Sequence, residues 1–154
     1  MKHQALHSFA QEVGQIPEVK KLSASMQDYL EAILELEESE DTVRVTDIAN
    51  KLQIAKASVN QTINKFKKKG LVRQQIYGPV ELTREGRHLA EKIRQTHQKI
   101  KQFLIEVLGV EPEIAEEDAC RMEHAVSAHT MERLTDFLSN YGDSKDQSQA
   151  SADK

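Results

Sequence analysis

TDIANKLQIAKASVNQTINKFKKKG, residues 46–70, is the stretch whose reading decides the fold. Thr46 is a good N-cap, so a short helix is predicted over Asp47–Leu52, with the Asp47 carboxylate near its positive end. Gln53-Ile54-Ala55-Lys56 then leaves room only for a tight connection. From Ala57 to Lys69 the apolar residues Val59, Ile63 and Phe66 recur at helical spacing, and Gly70 is the residue type that closes a helix. Two short helices joined this tightly, the second rich in lysine, make a helix-turn-helix pattern.

Downstream, Leu71–Ile76 and Val80–Leu82 read as two strands around the turn Tyr77-Gly78-Pro79. A hairpin placed directly after a recognition helix is a wing. Thr83 opens a long helix to Leu108, ended by Gly109. Pro112 starts another, reaching Val126, and Ser127 caps a last helix to Asn140. The tail 141–154, rich in Ser, Asp, Gln and Lys, is predicted disordered. Upstream, Val43-Arg44-Val45 alternates like a short strand, and residues 38–42 form a loop. Ser25 is the expected cap of a helix to Ser39 with the stripe Met26, Tyr29, Leu30, Ile33, Leu34 and Leu36. Residues 1–22 form an N-terminal extension without a readable motif.

The net charge of −4 across 154 residues argues against nucleic acid only until its distribution is examined. Lys51 to Arg73 holds seven basic residues and no acid, whereas Ser25 to Asp41 holds seven acids and no base. A local basic stripe is the electrostatic footprint of a DNA reader. No apolar run reaches the ~18–20 residues needed to cross a bilayer, so no membrane role is expected. One cysteine, Cys120, excludes an internal disulfide and suits a reducing, cytoplasmic setting.

On the second helix, Ser58, Asn60, Gln61, Thr62 and Asn64 are left facing outward, where short polar side chains can reach base edges. Lys56, Lys65 and Lys68, with Arg73 beside the wing, are placed for phosphates and add affinity rather than sequence information. The predicted partner is double-stranded operator DNA.

A second constellation is acidic. Cys120, Glu123 and His124 stand at i, i+3 and i+4, so a thiolate, a carboxylate and an imidazole share one helix face. That face is expected opposite a stripe of Ile114, Ala115, Met122 and Val126. Asp28 and Glu31, at i and i+3, oppose the apolar stripe of their own helix, which by itself reads as a solvated face rather than a ligand pair. His97 lies on the apolar stripe of the long helix, the usual setting of a core or interface histidine. Cys120 and His124 also allow an enzyme reading, nucleophile beside base. No Gly-rich loop or oxyanion-hole motif accompanies them, so no organic substrate is expected.

The run Ser25-Met26-Gln27-Asp28-Tyr29-Leu30-Glu31-Ala32-Ile33 resembles the start of the diphtheria toxin repressor family of metal-dependent regulators, including its manganese-transport regulator branch. Val45-Thr46-Asp47-Ile48-Ala49, Leu82-Thr83-Arg84-Glu85-Gly86 and Asp118-Ala119-Cys120-Arg121-Met122-Glu123-His124 resemble it too. The likeness spans roughly residues 23–140. It implies a mainly α protein: a winged helix-turn-helix domain (23–92), then a helical metal-binding and dimerisation domain (93–140). It implies metal ligation by Asp28, Glu31, His97, Cys120, Glu123 and His124, and a homodimeric repressor on a two-fold operator.

Departures from the family pattern narrow the metal. The manganese branch usually has Glu where Cys120 stands, while the iron branch has Cys there and commonly Met in place of Asp28. The iron branch's second site uses acidic and histidine groups where this chain has Lys101 and Glu116, so that form of the site is not expected. Carboxylates at 28, 31 and 123 suit Mn²⁺ or Fe²⁺, and a thiolate pulls toward Fe²⁺, Co²⁺ or Zn²⁺. The balance favours Mn²⁺, with Fe²⁺ next. The alternative is a metal-independent winged-helix regulator answering to an organic effector or to oxidation of Cys120.

Overall fold

Ser23 accepts a hydrogen bond from the Met26 backbone N–H at 3.2 Å, which caps α1 (Ala24–Ser39). The cap is thus Ser23 rather than Ser25. Leu22 is buried and its carbonyl accepts from Gln27 Nε2 at 3.1 Å, so the chain enters the helix two residues earlier than the serine pattern suggests. The structure is a computed structural model that describes residues 22–152; the N-terminal extension up to residue 21 lies outside the described residues.

The predicted strand at Val43–Val45 does not form. Asp47 Oδ2 accepts the Arg44 backbone N–H at 2.8 Å, making Arg44 rather than Thr46 the N-cap of α2 (Val45–Leu52). Val43 keeps one trace of strand behaviour, its carbonyl accepting the Val80 N–H at 2.8 Å. The connection to α3 (Lys56–Lys68) turns through Gln53 in the left-handed region at φ 54°. Gly70, at φ 70°, then takes the left-handed turn that leads out of α3, and the Leu71 N–H returns to the Phe66 carbonyl at 2.9 Å.

Val59, Ile63 and Phe66 are fully buried, as their spacing predicts. Phe66 meets Tyr29 edge-on at 6.4 Å and 78°, joining α1 to α3; such a pair adds roughly 0.5–1.5 kcal/mol beyond area burial. The wing is β1 (Val72–Gln74) paired antiparallel with β2 (Val80–Leu82), in the register Val72 with Leu82 and Gln74 with Val80. The first strand stops at Gln74 rather than Ile76.

Thr83 links the hairpin to α4 (Arg84–Glu106). Its hydroxyl accepts the Gly86 N–H at 3.0 Å as a cap and donates to the Gly70 carbonyl at 2.7 Å. Gly86 has to be glycine, because a Cβ there would stand 1.9 Å from the Leu71 carbonyl oxygen. Glu37, near the end of α1, accepts the Leu82 N–H at 2.8 Å and pairs with Arg87. Glu38 takes the Arg94 guanidinium at 2.7 and 2.8 Å, and that hydrogen bond is the main reason the Arg94 pKa is raised. The acidic end of α1 therefore holds the wing and the first half of α4.

The chain divides into two compact units, the first ending at Arg94 and the second starting at Gln95. The second contains the rest of α4, α5 (Pro112–Met122) and α6 (Ala128–Ala152). Its core is Ile100, Leu104, Ala115, Ala119 and Met131. The inward stripe of α5 is thus Ala115 and Ala119, whose small side chains lie fully buried, while Ile114 and Met122 are 54% and 37% exposed. That corrects the predicted stripe at Ile114 and Met122, whereas Ala115 is buried as predicted and Val126 packs against this core. Ser127 caps α6 as expected, accepting the Thr130 N–H at 3.2 Å. The helix continues to Ala152, where composition predicts a disordered tail; with no proline after Ser127, nothing breaks the backbone ladder.

Candidate metal centre and nucleic-acid face

His97 is the anchor of the site. Its position on the stripe Ile93, His97, Ile100, Leu104 turns it into the second unit, where it is 7% exposed. Both ring nitrogens face carboxylates: Nδ1 lies 2.8 Å from Glu123 Oε2 and Nε2 lies 3.0 Å from Glu116 Oε1. A neutral imidazole donates from one nitrogen only, so the second contact needs one further proton or a metal ion. A buried histidine set between two carboxylates is more than a core histidine.

The other predicted ligands of this unit gather around it. Glu123 is buried, its side chain only 2% exposed, and His124 Nε2 lies 3.3 Å from its other oxygen. One donor atom each from His97, Glu116 and Cys120 falls within 4.8 Å of the others. That spread suits a single ion with ligand distances of about 2.0–2.3 Å. Helix α5 ends at Met122 instead of Val126, so Glu123 is its C-cap and His124 lies in the turn beyond. Glu123 still bonds back to Ala119 at 3.0 Å, which keeps it one turn from Cys120. Asp28 and Glu31 lie on α1 of the first unit, exposed and half-buried respectively.

Glu116 is absent from the predicted ligand set, yet it faces His97. It stands one turn before Cys120, and the i, i+4 spacing on α5 was the available signal. Lys101 Nζ lies 2.7 Å from its second oxygen. This ammonium holds the Glu116 carboxyl below its ordinary value, against the opposing effect of partial burial and with help from the charge of His97. Glu116 thus divides its charge between an imidazole and an ammonium.

The residues expected to face nucleic acid lie in the first unit. Lys56, Ser58, Asn60, Gln61, Asn64, Lys65 and Lys68 are exposed on α3, Thr62 is half-buried, and Arg73 is exposed on β1. The buried stripe of α3 therefore fixes the side chains predicted to face DNA.

Two family descriptions match the chain in tandem: the N-terminal DNA-binding domain of iron-dependent repressors over residues 21–80, and their metal-binding and dimerisation domain over 83–149. An uncharacterised HTH-type transcriptional regulator of Methanocaldococcus jannaschii is 37% identical over 123 residues, covering 79% of this chain and 98% of that protein. The transcriptional regulator MntR of Salmonella typhi is 36% identical over 117 residues, covering 76% of this chain and 74% of its own. A solved manganese-dependent transcriptional repressor in complex with manganese superposes with a TM-score of 0.68 at 31% identity, over 74% of this chain and 52% of that one. The chain belongs to the diphtheria toxin repressor and manganese-transport regulator family.

Membership makes it a metal-dependent, DNA-binding transcriptional regulator of divalent metal homeostasis. Family regulators bind divalent metals and operator DNA and form dimers, and they are regulators rather than enzymes. The chain spans about half the length of the solved manganese regulators it matches. No helix among the described residues is long and apolar enough to cross a membrane. The donor set of this family member fits a divalent transition ion, since imidazole, thiolate and carboxylate together cover its borderline ligand preferences.

Proposed function

We propose that this regulator is a cytoplasmic, manganese-preferring repressor, with Fe²⁺ as its second metal, that closes on a two-fold operator as a homodimer when metal is loaded. The ligand set is Asp28, Glu31, His97, Cys120, Glu123 and His124. The observation that carries the proposal is His97 set between Glu123 and Glu116, a histidine whose two nitrogens call for a cation. A divalent ion would supply the positive charge that these acceptors and the Cys120 thiolate share.

The chain's own residues do the rest. His97 and Glu123 are buried and preset by their hydrogen bond, so ligation orders few additional groups. Asp28 and Glu31 belong to the helix that also carries Glu37, the acceptor at the base of the wing. Ligation through α1 would bias the DNA-reading unit toward one arrangement, a population shift set by differential affinity for the metal. Asn60, Gln61 and Asn64 would read base edges, while Lys56, Lys65, Lys68 and Arg73 hold phosphates. Carboxylates outnumber the one thiolate, which favours Mn²⁺.

Fluorescence anisotropy on the region upstream of its own coding sequence, with Mn²⁺, Fe²⁺ or Zn²⁺ buffered to equal free concentration, tests this reading. Wild type should bind with Mn²⁺ at the lowest free metal and release in EDTA. Glu123→Ala should bind weakly under both conditions. A Glu123→Ala variant that binds in EDTA as tightly as wild type does in Mn²⁺ would end the proposal.

A further inference from the structure

Glu116 faces His97 but stands outside the proposed ligand set, and its two oxygens have different partners. Oε1 lies 3.0 Å from His97 Nε2, and Oε2 lies 2.7 Å from Lys101 Nζ. His97 and Lys101 are one turn apart on α4, so both reach the same carboxylate of α5. The Lys101 ammonium keeps Glu116 ionised, so Glu116 meets His97 only as an acceptor. In the neutral ring that ligation requires, Nε2 therefore carries the hydrogen.

The other side of the ring is the reverse. Nδ1 lies 2.8 Å from Glu123 Oε2, in a side chain that is 2% exposed where that of Glu116 is 50%. His124 Nε2 lies 3.3 Å from the other Glu123 oxygen. With the hydrogen on Nε2, the ring turns its Nδ1 lone pair toward a buried carboxylate. Those two groups repel unless a cation answers both. A cation beside Nε2 would instead displace the hydrogen and crowd the Lys101 ammonium. Cys120 supplies that rival arrangement, since donor atoms of His97, Glu116 and Cys120 lie within 4.8 Å of one another.

A carboxylate on the far nitrogen is the usual means of fixing the tautomer and direction of a ligating histidine. We infer that Glu116, held by Lys101, is a positioning residue: it fixes His97 as the Nε2–H tautomer and so presents Nδ1, beside Glu123, to the metal. This assignment rests on the metal-dependent reading above and deepens it, naming the nitrogen that ligates and the pair that aims it.

The full chain is tested with diamagnetic Zn²⁺ as the spectroscopic probe and Mn²⁺ as the affinity probe. A long-range ¹H–¹⁵N spectrum of the Zn²⁺-loaded, histidine-labelled wild type should show His97 with hydrogen on Nε2 and metal on Nδ1, a result that needs no variant. In calorimetric titrations, Glu116→Ala should weaken Mn²⁺ binding about 10- to 100-fold. Glu116→Gln keeps an acceptor oxygen for the Nε2–H and should recover most of that loss. Lys101→Met removes a positive charge, so repulsion alone would tighten Mn²⁺ binding, whereas lost positioning should weaken it several-fold. Metal on Nε2 of His97, or Glu116→Ala binding Mn²⁺ within twofold of wild type, overturns the inference and leaves metal control standing. So does Glu116→Gln as weak as Glu116→Ala, which would make Glu116 a ligand, and so does tighter binding by Lys101→Met. Wild type that takes up neither metal overturns this inference and the proposed function together.

Discussion

Gly86→Ala is the sharpest structural test, because the Cβ it adds would meet backbone and nothing softer. That atom would stand 1.9 Å from the Leu71 carbonyl oxygen, 2.9 Å from its carbon and 3.3 Å from its Cα. The same carbonyl accepts the Thr83 N–H at 3.0 Å, at the junction of α3, the wing and α4. Moving it away to ordinary contact breaks or stretches that bond, which costs about 0.5–1.5 kcal/mol. Overpacking against a fixed backbone adds about 1–3 kcal/mol. Gly86 lies in the first turn of α4, so the alanine gain in helix propensity, ~1 kcal/mol at most, offsets part of this. The net loss is about 1–4 kcal/mol. Urea unfolding followed by circular dichroism measures it, with Gly142→Ala as control, since nothing lies within 4 Å of a Cβ there. The control should be neutral or stabilising by up to ~1 kcal/mol, as expected for a helical glycine. Gly86→Ala as stable as wild type would show that the Leu71 carbonyl moves freely, refuting the close-approach argument.

Glu37→Ala removes the acceptor of the Leu82 N–H and the partner of Arg87, and should destabilise the metal-free chain by about 1–3 kcal/mol; Glu37→Gln should lose less, since it keeps the acceptor oxygen. Mn²⁺ at a hundred times its Kd should add about 2.7 kcal/mol to the unfolding free energy of wild type, and His97→Ala should erase that gain in a calorimetric scan. Because Lys101 lowers the Glu116 pKa, the pair stabilises the metal-free fold above the ordinary value of 4.5, and the gain is lost as pH falls through the depressed folded-state value. Lys101→Met should flatten that acid limb in urea melts between pH 5.5 and pH 3, by at most about 1 kcal/mol for a half-exposed pair. In DNA titrations against salt, Lys68→Ala should reduce the log–log slope by about 1, whereas Lys51→Ala should leave it unchanged, because Lys51 is tied to Glu35 at 2.6 Å.

The elements legible in the sequence are those whose pattern is local. Val59, Ile63 and Phe66 define the buried side of α3, and Gly70 marks its end by a backbone need that no other residue type meets as cheaply. Elements misread are those settled by a partner far away or by a competing local bond. Ser23 and Ser25 are equivalent as caps until Gln27 reaches back to Leu22. Val43-Arg44-Val45 alternates like a strand, yet Asp47 captures the Arg44 N–H and Val45 joins a helix. On α5, periodicity located a face but favoured the large residues Ile114 and Met122, whereas Ala115 and Ala119 let the helix approach its core closely. The same contrast holds at the site. Cys120, Glu123 and His124 were visible from spacing, but spacing alone left His97 a core residue, and only the fold places carboxylates on both of its nitrogens.

The acidic run from Asp28 to Asp41 reads as one feature in the sequence and divides in the structure. Glu35, Glu37 and Glu38 are matched by Lys51, Arg87 and Arg94, three bases drawn from α2 and α4. Those acids serve as fasteners for α2, the wing and the first half of α4, and their charge is met inside the first unit. Asp28 and Glu31 stand nearer the start of α1, and in the proposed reading they are the acids of this helix that would hold metal. One helix can then carry both duties without conflict. Its C-terminal half fixes the wing through Glu37, and a bias applied at Asp28 and Glu31 would travel along a rigid rod rather than through a loop. On this reasoning the helix preceding the helix-turn-helix is the part of the chain through which metal would govern DNA binding.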